Sequence, residues 1–261
     1  MVFARYIGLM VLFAKRAQIT SWEYRFNYFF RIFRIFLDFT ISLAFINIYF
    51  SKTTSIGNWT QPEVFLVYAI FQLVTSIYNF LCADSLNEMD NDVRRGKLDI
   101  LLIKPIDSQF HVSFRNMYPS NIYRIIISLL ITWYALSQLN LYPRWDEILW
   151  GTVTILSSVV IYYSFVFLAS VTTFWTSRGE VTNLIDTVFS VSKYPLDIFN
   201  KSATKLFTLI PLIFIVTVPA KVLLGRPENL KYYSAFIALV LLFISRKVWN
   251  VALRHYTSAS S

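Results

Sequence analysis

Apolar runs long enough to cross a bilayer alternate with short polar breaks along most of this chain. A helix crossing about 30 Å of hydrocarbon needs about 20 predominantly apolar residues. Runs of that order fall at 30–50, 63–83, 122–139, 148–175 and 232–250, with a longer stretch at 181–224. Gly57-Asn58-Trp59-Thr60-Gln61-Pro62 is a turn-rich break between the first two runs, and Leu141-Tyr142-Pro143-Arg144 separates the third from the fourth. The pattern predicts an all-α polytopic membrane protein. Residues 84–121 depart from it: they are polar, and too few to build a core of their own.

At the N-terminus Phe3, Ile7, Met10, Phe13 and Ala17 recur at helical spacing, while Arg5, Lys15 and Arg16 are placed to reach headgroups. That predicts an interfacial helix within 1–25. A cleaved signal peptide is the poorer reading, because Lys15-Arg16 stands where a small-residue cleavage site belongs.

Lys and Arg orient the spans. Residues 1–34 and 84–124 carry six each and 246–261 carry three, whereas the breaks at 51–62 and 140–147 carry one each. Basic residues collect on the cytosolic side, so both termini and the 84–121 segment are predicted to be cytosolic. The stretch 181–224 resists the same count. Taking 181–199 as the span leaves Lys201, Lys205, Lys221, Arg226 and Lys231 outside; taking 205–224 places Asp186 and Lys193 on the cytosolic surface. Pro211 and Pro219 favour a bent hairpin in the second half. The residues alone leave both open.

Composition agrees with the pattern. The chain has 261 residues, 56% hydrophobic, 18% aromatic and only 15% charged, which is the make-up of a membrane protein rather than of a soluble domain. Its net charge of +9 does not point to nucleic acid, because the cations sit at the ends of apolar runs instead of forming one stripe. Trp22, Trp59, Trp145, Trp150, Trp175 and Trp249 also fall near predicted span ends, where indole rings are favoured. Cys82 is the single cysteine, and His111 and His255 are far apart, so neither an internal disulfide nor a Cys/His metal site is expected.

Catalytic signatures are missing. Gly96-Lys97 is followed by Leu98, and Asn91 occupies the first-glycine position of a phosphate loop. Neither a zinc-protease helix motif nor a serine-hydrolase elbow is present. The acids Asp84, Glu88, Asp90 and Asp92 read as a solvated helix end leading into basic residues. Two carboxylates inside apolar runs stand out, since a charge there costs about 2.5–3.5 kcal/mol. Asp38 is either a residue lining a translocation path or the partner of Arg34 one turn away; Asp186, seven residues before Lys193, raises the same choice.

The polar segment holds the most informative element. Glu88 to Arg95 has acids early and bases late, complementing a helix dipole, with Gly96 as its stop. Leu98, Ile100, Leu101, Leu102 and Ile103 follow, ending at Lys104-Pro105. They are too few to cross lipid and enough for a docking knob that a soluble partner grips.

The run Arg94-Arg95-Gly96-Lys97-Leu98-Asp99-Ile100-Leu101-Leu102-Ile103-Lys104-Pro105, placed in the first cytosolic loop, resembles the corresponding stretch of the permease subunits of bacterial type-2 ABC exporters. Thr173-Phe174-Trp175, Tyr194-Pro195-Leu196-Asp197-Ile198-Phe199, Ile210-Pro211-Leu212, Pro219-Ala220 and Leu224-Gly225 follow in the order of that family. The resemblance implies six membrane helices, an N-terminal interfacial helix and a cytosolic coupling helix between helices 2 and 3. It also implies a re-entrant outer element, here 200–229, before helix 6, and so favours 181–199 as the fifth span. Arg94, Arg95, Gly96, Lys97, Leu98, Asp99 and Pro105 are then the expected ATPase contact, with Asp38 and Asp186 as candidates for the path. The chain itself would hold no cofactor; ATP and Mg would be bound by partner ATPase subunits, and a second permease chain, identical or paralogous, would complete the pore in the cell membrane. The competing readings are an ATPase-independent membrane protein (a channel, an embedded enzyme or an assembly factor) and the membrane subunit of an importer, although the short outer loops offer little for an external binding protein to dock on.

Overall fold

A computed structural model describes the chain apart from residues 1, 24, 177–179, 200–201, 203, 206, 208–209, 227–228 and 257–261. Arg178, Lys201 and parts of the 200–229 segment therefore lie outside the described residues. Among those described the fold is helical throughout, with no β-strand; a lone bridge between Ile56 and Trp59 closes the first turn-rich break.

Two long helices open the chain, α1 (Val2–Glu23) and α2 (Arg25–Phe50). The third, α3 (Gln61–Tyr78), begins at Thr60, with Pro62 in its first turn and the Thr60 N–H donating to Glu63 Oε2 at 2.7 Å. Proline costs nothing there because its missing N–H has no helical acceptor, and the Glu63 carboxylate occupies one of the orphan donors. The helix continues through a five-residue π segment, Asn79–Ala83, into α4 (Asp84–Asn87) and, after a turn at Glu88, α5 (Met89–Arg94). The whole run from Gln61 to Arg94 has 34 residues. At 1.5 Å per residue it is about 50 Å long, well beyond the hydrocarbon thickness.

Short helices α6 (Leu98–Leu102) and α7 (Ser108–Phe114) lead to α8 (Asn121–Gln138) and α9 (Trp145–Val171). Then come α10 (Thr173–Thr176), α11 (Glu180–Ser190), 3-10 turns at Val191–Lys193, Leu196–Ile198 and Leu212–Phe214, α12 (Thr217–Leu223) and α13 (Lys231–His255). Among the described residues, three helical runs are long and apolar enough, by length and composition, to cross a membrane: Gln61–Arg94, Trp145–Thr176 and Lys231–His255. The predicted runs 30–50 and 122–139 correspond to α2 and α8. Within 181–199 lie all but the first residue of α11 and the 3-10 turns at Val191–Lys193 and Leu196–Ile198, with the chain turning before Pro195.

The core is centred on α3, whose residues 64–74 are buried on every face. It packs against α8 on one side and α9 on the other, and α9 in turn carries α12 and α13. Where α9 approaches α12, a Cβ on Gly151 would lie 2.5 Å from Leu223 Cδ2, so the Leu223 side chain would have to shift. The outer faces of α2, α8 and α13 remain apolar and exposed, with Phe29, Phe30, Phe33, Phe45, Leu130, Trp133, Phe236 and Phe243 among them. Apolar surface of that extent is what hydrocarbon covers. Two tryptophans depart from the span-end expectation, since Trp59 and Trp249 are fully buried and serve as packing residues.

Candidate functional site

The chain reverses direction at the end of α5. Arg95 caps the helix and Gly96 adopts a φ of +67°, the left-handed conformation that glycine reaches without steric penalty. Past it, α6 is amphipathic on a small scale. Leu98 and Leu101 are buried, whereas Ile100 and Ile103 are 60% and 80% exposed. Arg94, Arg95, Lys97 and Pro105 are exposed too, and Asp99 is half-buried. The elbow thus exposes the cations Arg94, Arg95, Lys97 and Lys104, two unpacked isoleucines and a proline beside buried Leu98 and Leu101.

That elbow is braced from several directions. Arg94 pairs with Asp90 one turn back. The Arg115 guanidinium, after α7, pairs with Asp92 and lies 3.3 Å from Glu88, to which Asn116 Nδ2 also donates at 2.6 Å. The acidic run of the sequence is therefore largely engaged by basic partners. From α1, Arg5 donates to the Pro105 carbonyl at 2.9 Å, Tyr6 meets Phe110 edge to face, and Phe13 stacks on His111. From α13, Arg246 pairs with Asp107, and Trp249 Nε1 donates to Ser108 Oγ at 3.0 Å.

Asp38 and Asp186 lie in separate surroundings. The Asp38 carboxylate on α2 accepts from Arg124 on α8 at 2.9 Å; this cross-helix partner takes the place that sequence reasoning gave to Arg34. Arg124 Nη1 also donates to Gln72 Oε1 at 3.1 Å, and Gln72 Nε2 donates to Tyr68 Oη at 2.6 Å. A polar chain thus threads α2, α8 and α3. Asp186 on α11 accepts from Tyr162 Oη on α9 at 2.9 Å, and Lys193 lies over the Phe71 ring. Sequence reasoning named neither Gln72 nor Arg124; a lone glutamine inside the apolar run 63–83 was the available signal. Arg226, which the sequence reading places only as a cation outside the fifth span, bonds Glu63 at 2.5 Å and covers the Trp59 ring at 4.9 Å, tying the segment before α13 to the start of α3.

A family model for the ABC-2 family transporter proteins matches residues 36–260, from the middle of α2 to the end of the chain. The chain belongs to the ABC-2 transporter family. Its members are membrane components of transporters, so this ABC-2 protein has a permease role. Neither the curated proteins nor the solved structures contain a match to it. Among its described residues no cluster of His, Cys, Asp and Glu could hold a metal ion.

Proposed function

We propose that the chain is the permease half of an ATP-driven exporter and that the elbow from Arg94 to Pro105 is its ATPase contact. One observation carries the reading. A continuous helical run of 34 residues, too long for the bilayer alone, delivers an exposed patch of Arg94, Arg95, Lys97, Ile100 and Ile103 at its far end. Burial of Leu98 and Leu101 fixes that patch to the body. A partner that pushes on it moves α3 as a lever, because a packed helix transmits displacement without bending.

In this reading the elbow and both termini face the cytosol, and six segments cross the cell membrane of a bacterium. The helices α2, the 61–83 part of the long run, α8, α9 and α13 supply five, with 181–199 as the fifth in order and 200–229 as the re-entrant outer element. Two permease chains, identical or paralogous, and two ATPase subunits binding Mg-ATP make the working transporter. Substrate passes at the permease interface by alternating access, with Asp38 and Asp186 near the path.

The test is charge reversal at Arg94 and Arg95, followed by co-purification and ATPase assays in vesicles. The double variant is expected to insert normally, yet to lose the ATPase or its response to substrate. Wild-type stimulation in that variant overturns the assignment.

A further inference from the structure

Between α1, the start of α2 and the 115–119 segment lies a polar pocket of about 340 Å³, at the small end of ligand sites, which run from about 300 to 1,000 Å³. Its charged lining is mixed: Arg16, Arg31 and Arg115 face it together with Asp84 and Glu88. Arg115 and Glu88 are already engaged with each other and with Asp92 and Asn116. Among the described residues Arg16, Arg31 and Asp84 form no contact ion pair; the Arg31 charge is near enough to favour the Asp84 carboxylate, but its guanidinium lies over the Tyr118 ring at 4.6 Å. Arg31 and Asp84 are both half-buried. A cation and an acid that share one pocket without meeting leave room for something that carries both signs.

The surroundings say what that is. On the same turns of α2, the rings of Phe26, Phe29 and Phe30 are 85%, 75% and 69% exposed, and Trp22 stacks on Tyr28. Exposed phenyl rings beside a stacked indole and phenol mark the boundary between hydrocarbon and headgroups. We infer that this pocket binds a zwitterionic phospholipid headgroup bearing a primary ammonium, with its phosphate on Arg16 and Arg31 and its ammonium on Asp84. Guanidinium groups suit phosphate oxygens, and the Asp84 carboxylate accepts from N–H donors that a quaternary amine lacks. A purely anionic headgroup satisfies the arginines but faces Asp84 and Glu88. The inference rests on the membrane placement of the proposed permease and not on ATPase coupling.

The chain is purified in mild detergent, stripped of lipid and titrated with phosphatidylethanolamine, phosphatidylcholine and phosphatidylglycerol, with bound lipid read by native mass spectrometry. Phosphatidylethanolamine is expected to bind about tenfold or more tightly than the other two, the worth of one charge-assisted hydrogen bond. Arg31→Gln should weaken all three lipids, whereas Asp84→Asn should erase only the preference for the amine. Displacement by soluble glycerophosphoethanolamine identifies the free headgroup as sufficient; retention of lipid against it identifies the membrane lipid as the ligand. Equal binding of the three lipids by the wild-type chain overturns the inference even if the variants do not fold, and so does an Asp84→Asn chain that keeps the preference. Because no ATPase is present, the result stands apart from the fate of the Arg94/Arg95 test.

Discussion

Arg246, in the last helix, grips both carboxylate oxygens of Asp107, with Nη2 at 2.5 Å from Oδ2 and Nη1 at 3.0 Å from Oδ1. The same carboxylate caps α7, accepting from the Phe110 N–H at 2.9 Å. One acid therefore joins the end of the chain to the segment that follows the elbow.

Asp107→Ala should cost more stability than Arg246→Ala, because it removes the helix cap as well as the ion pair. The cap is worth about 1 kcal/mol. The half-exposed pair adds about 1 kcal/mol at most, since both side chains retain solvent contact. Thermal unfolding of both variants in detergent checks this. An Arg246→Ala loss as large as that of Asp107→Ala contradicts the capping role.

The Asp38–Arg124 pair should behave as a unit. Asp38→Leu or Arg124→Leu strands one charge at membrane depth, expected to cost about 2–3 kcal/mol. The double replacement leaves no stranded charge, and pairs of this kind are often replaced nearly neutrally. A double-mutant cycle on unfolding in mixed micelles measures the coupling. Additive losses sink the prediction.

Gly151→Ala should destabilise the contact between α9 and α12 by about 1–3 kcal/mol, because the new methyl displaces the Leu223 side chain. Leu223→Ala in the same chain should restore much of the loss. If the second change makes matters worse, the close approach is not what requires glycine.

Stability should fall on mild acidification through His111. The ring is buried against Phe13, its Nδ1 has no hydrogen-bond partner among the described residues, and burial first and Lys104 second hold its pKa below the ordinary 6.5. The folded chain thus binds fewer protons at this site than the unfolded chain. Its contribution is complete above the unfolded pKa of about 6.5 and is lost progressively as pH drops below that value. Comparing melting temperatures between about pH 7.5 and 5.5 should show a steeper decline for wild type than for His111→Gln; parallel curves would exclude His111 as the source.

The helical, membrane-type character of the chain was written in its pattern of apolar runs, since run length and a scarcity of charge suffice to exclude any other class. The stop at Gly96 was equally local: a dipole-matched helix followed by glycine needs no tertiary information. Partners were another matter. Arg34 was the near neighbour of Asp38, yet Arg124 from α8 reaches it, and nothing within a few residues of Asp38 encodes that choice. The gathering of Arg16, Arg31 and Asp84 around one pocket likewise joins positions up to 68 residues apart. Trp59 and Trp249 sat where interfacial indoles belong but are fully interior, because a span end that packs under another element is shielded from lipid. Sequence by itself determined what the medium is and where the breaks at 57–62 and at Gly96 fall, because those depend on transfer free energies and on capping over a single turn. Which charges meet was decided only by the packing of helices, because burial makes an unpaired charge so costly that the fold selects partners by position in space.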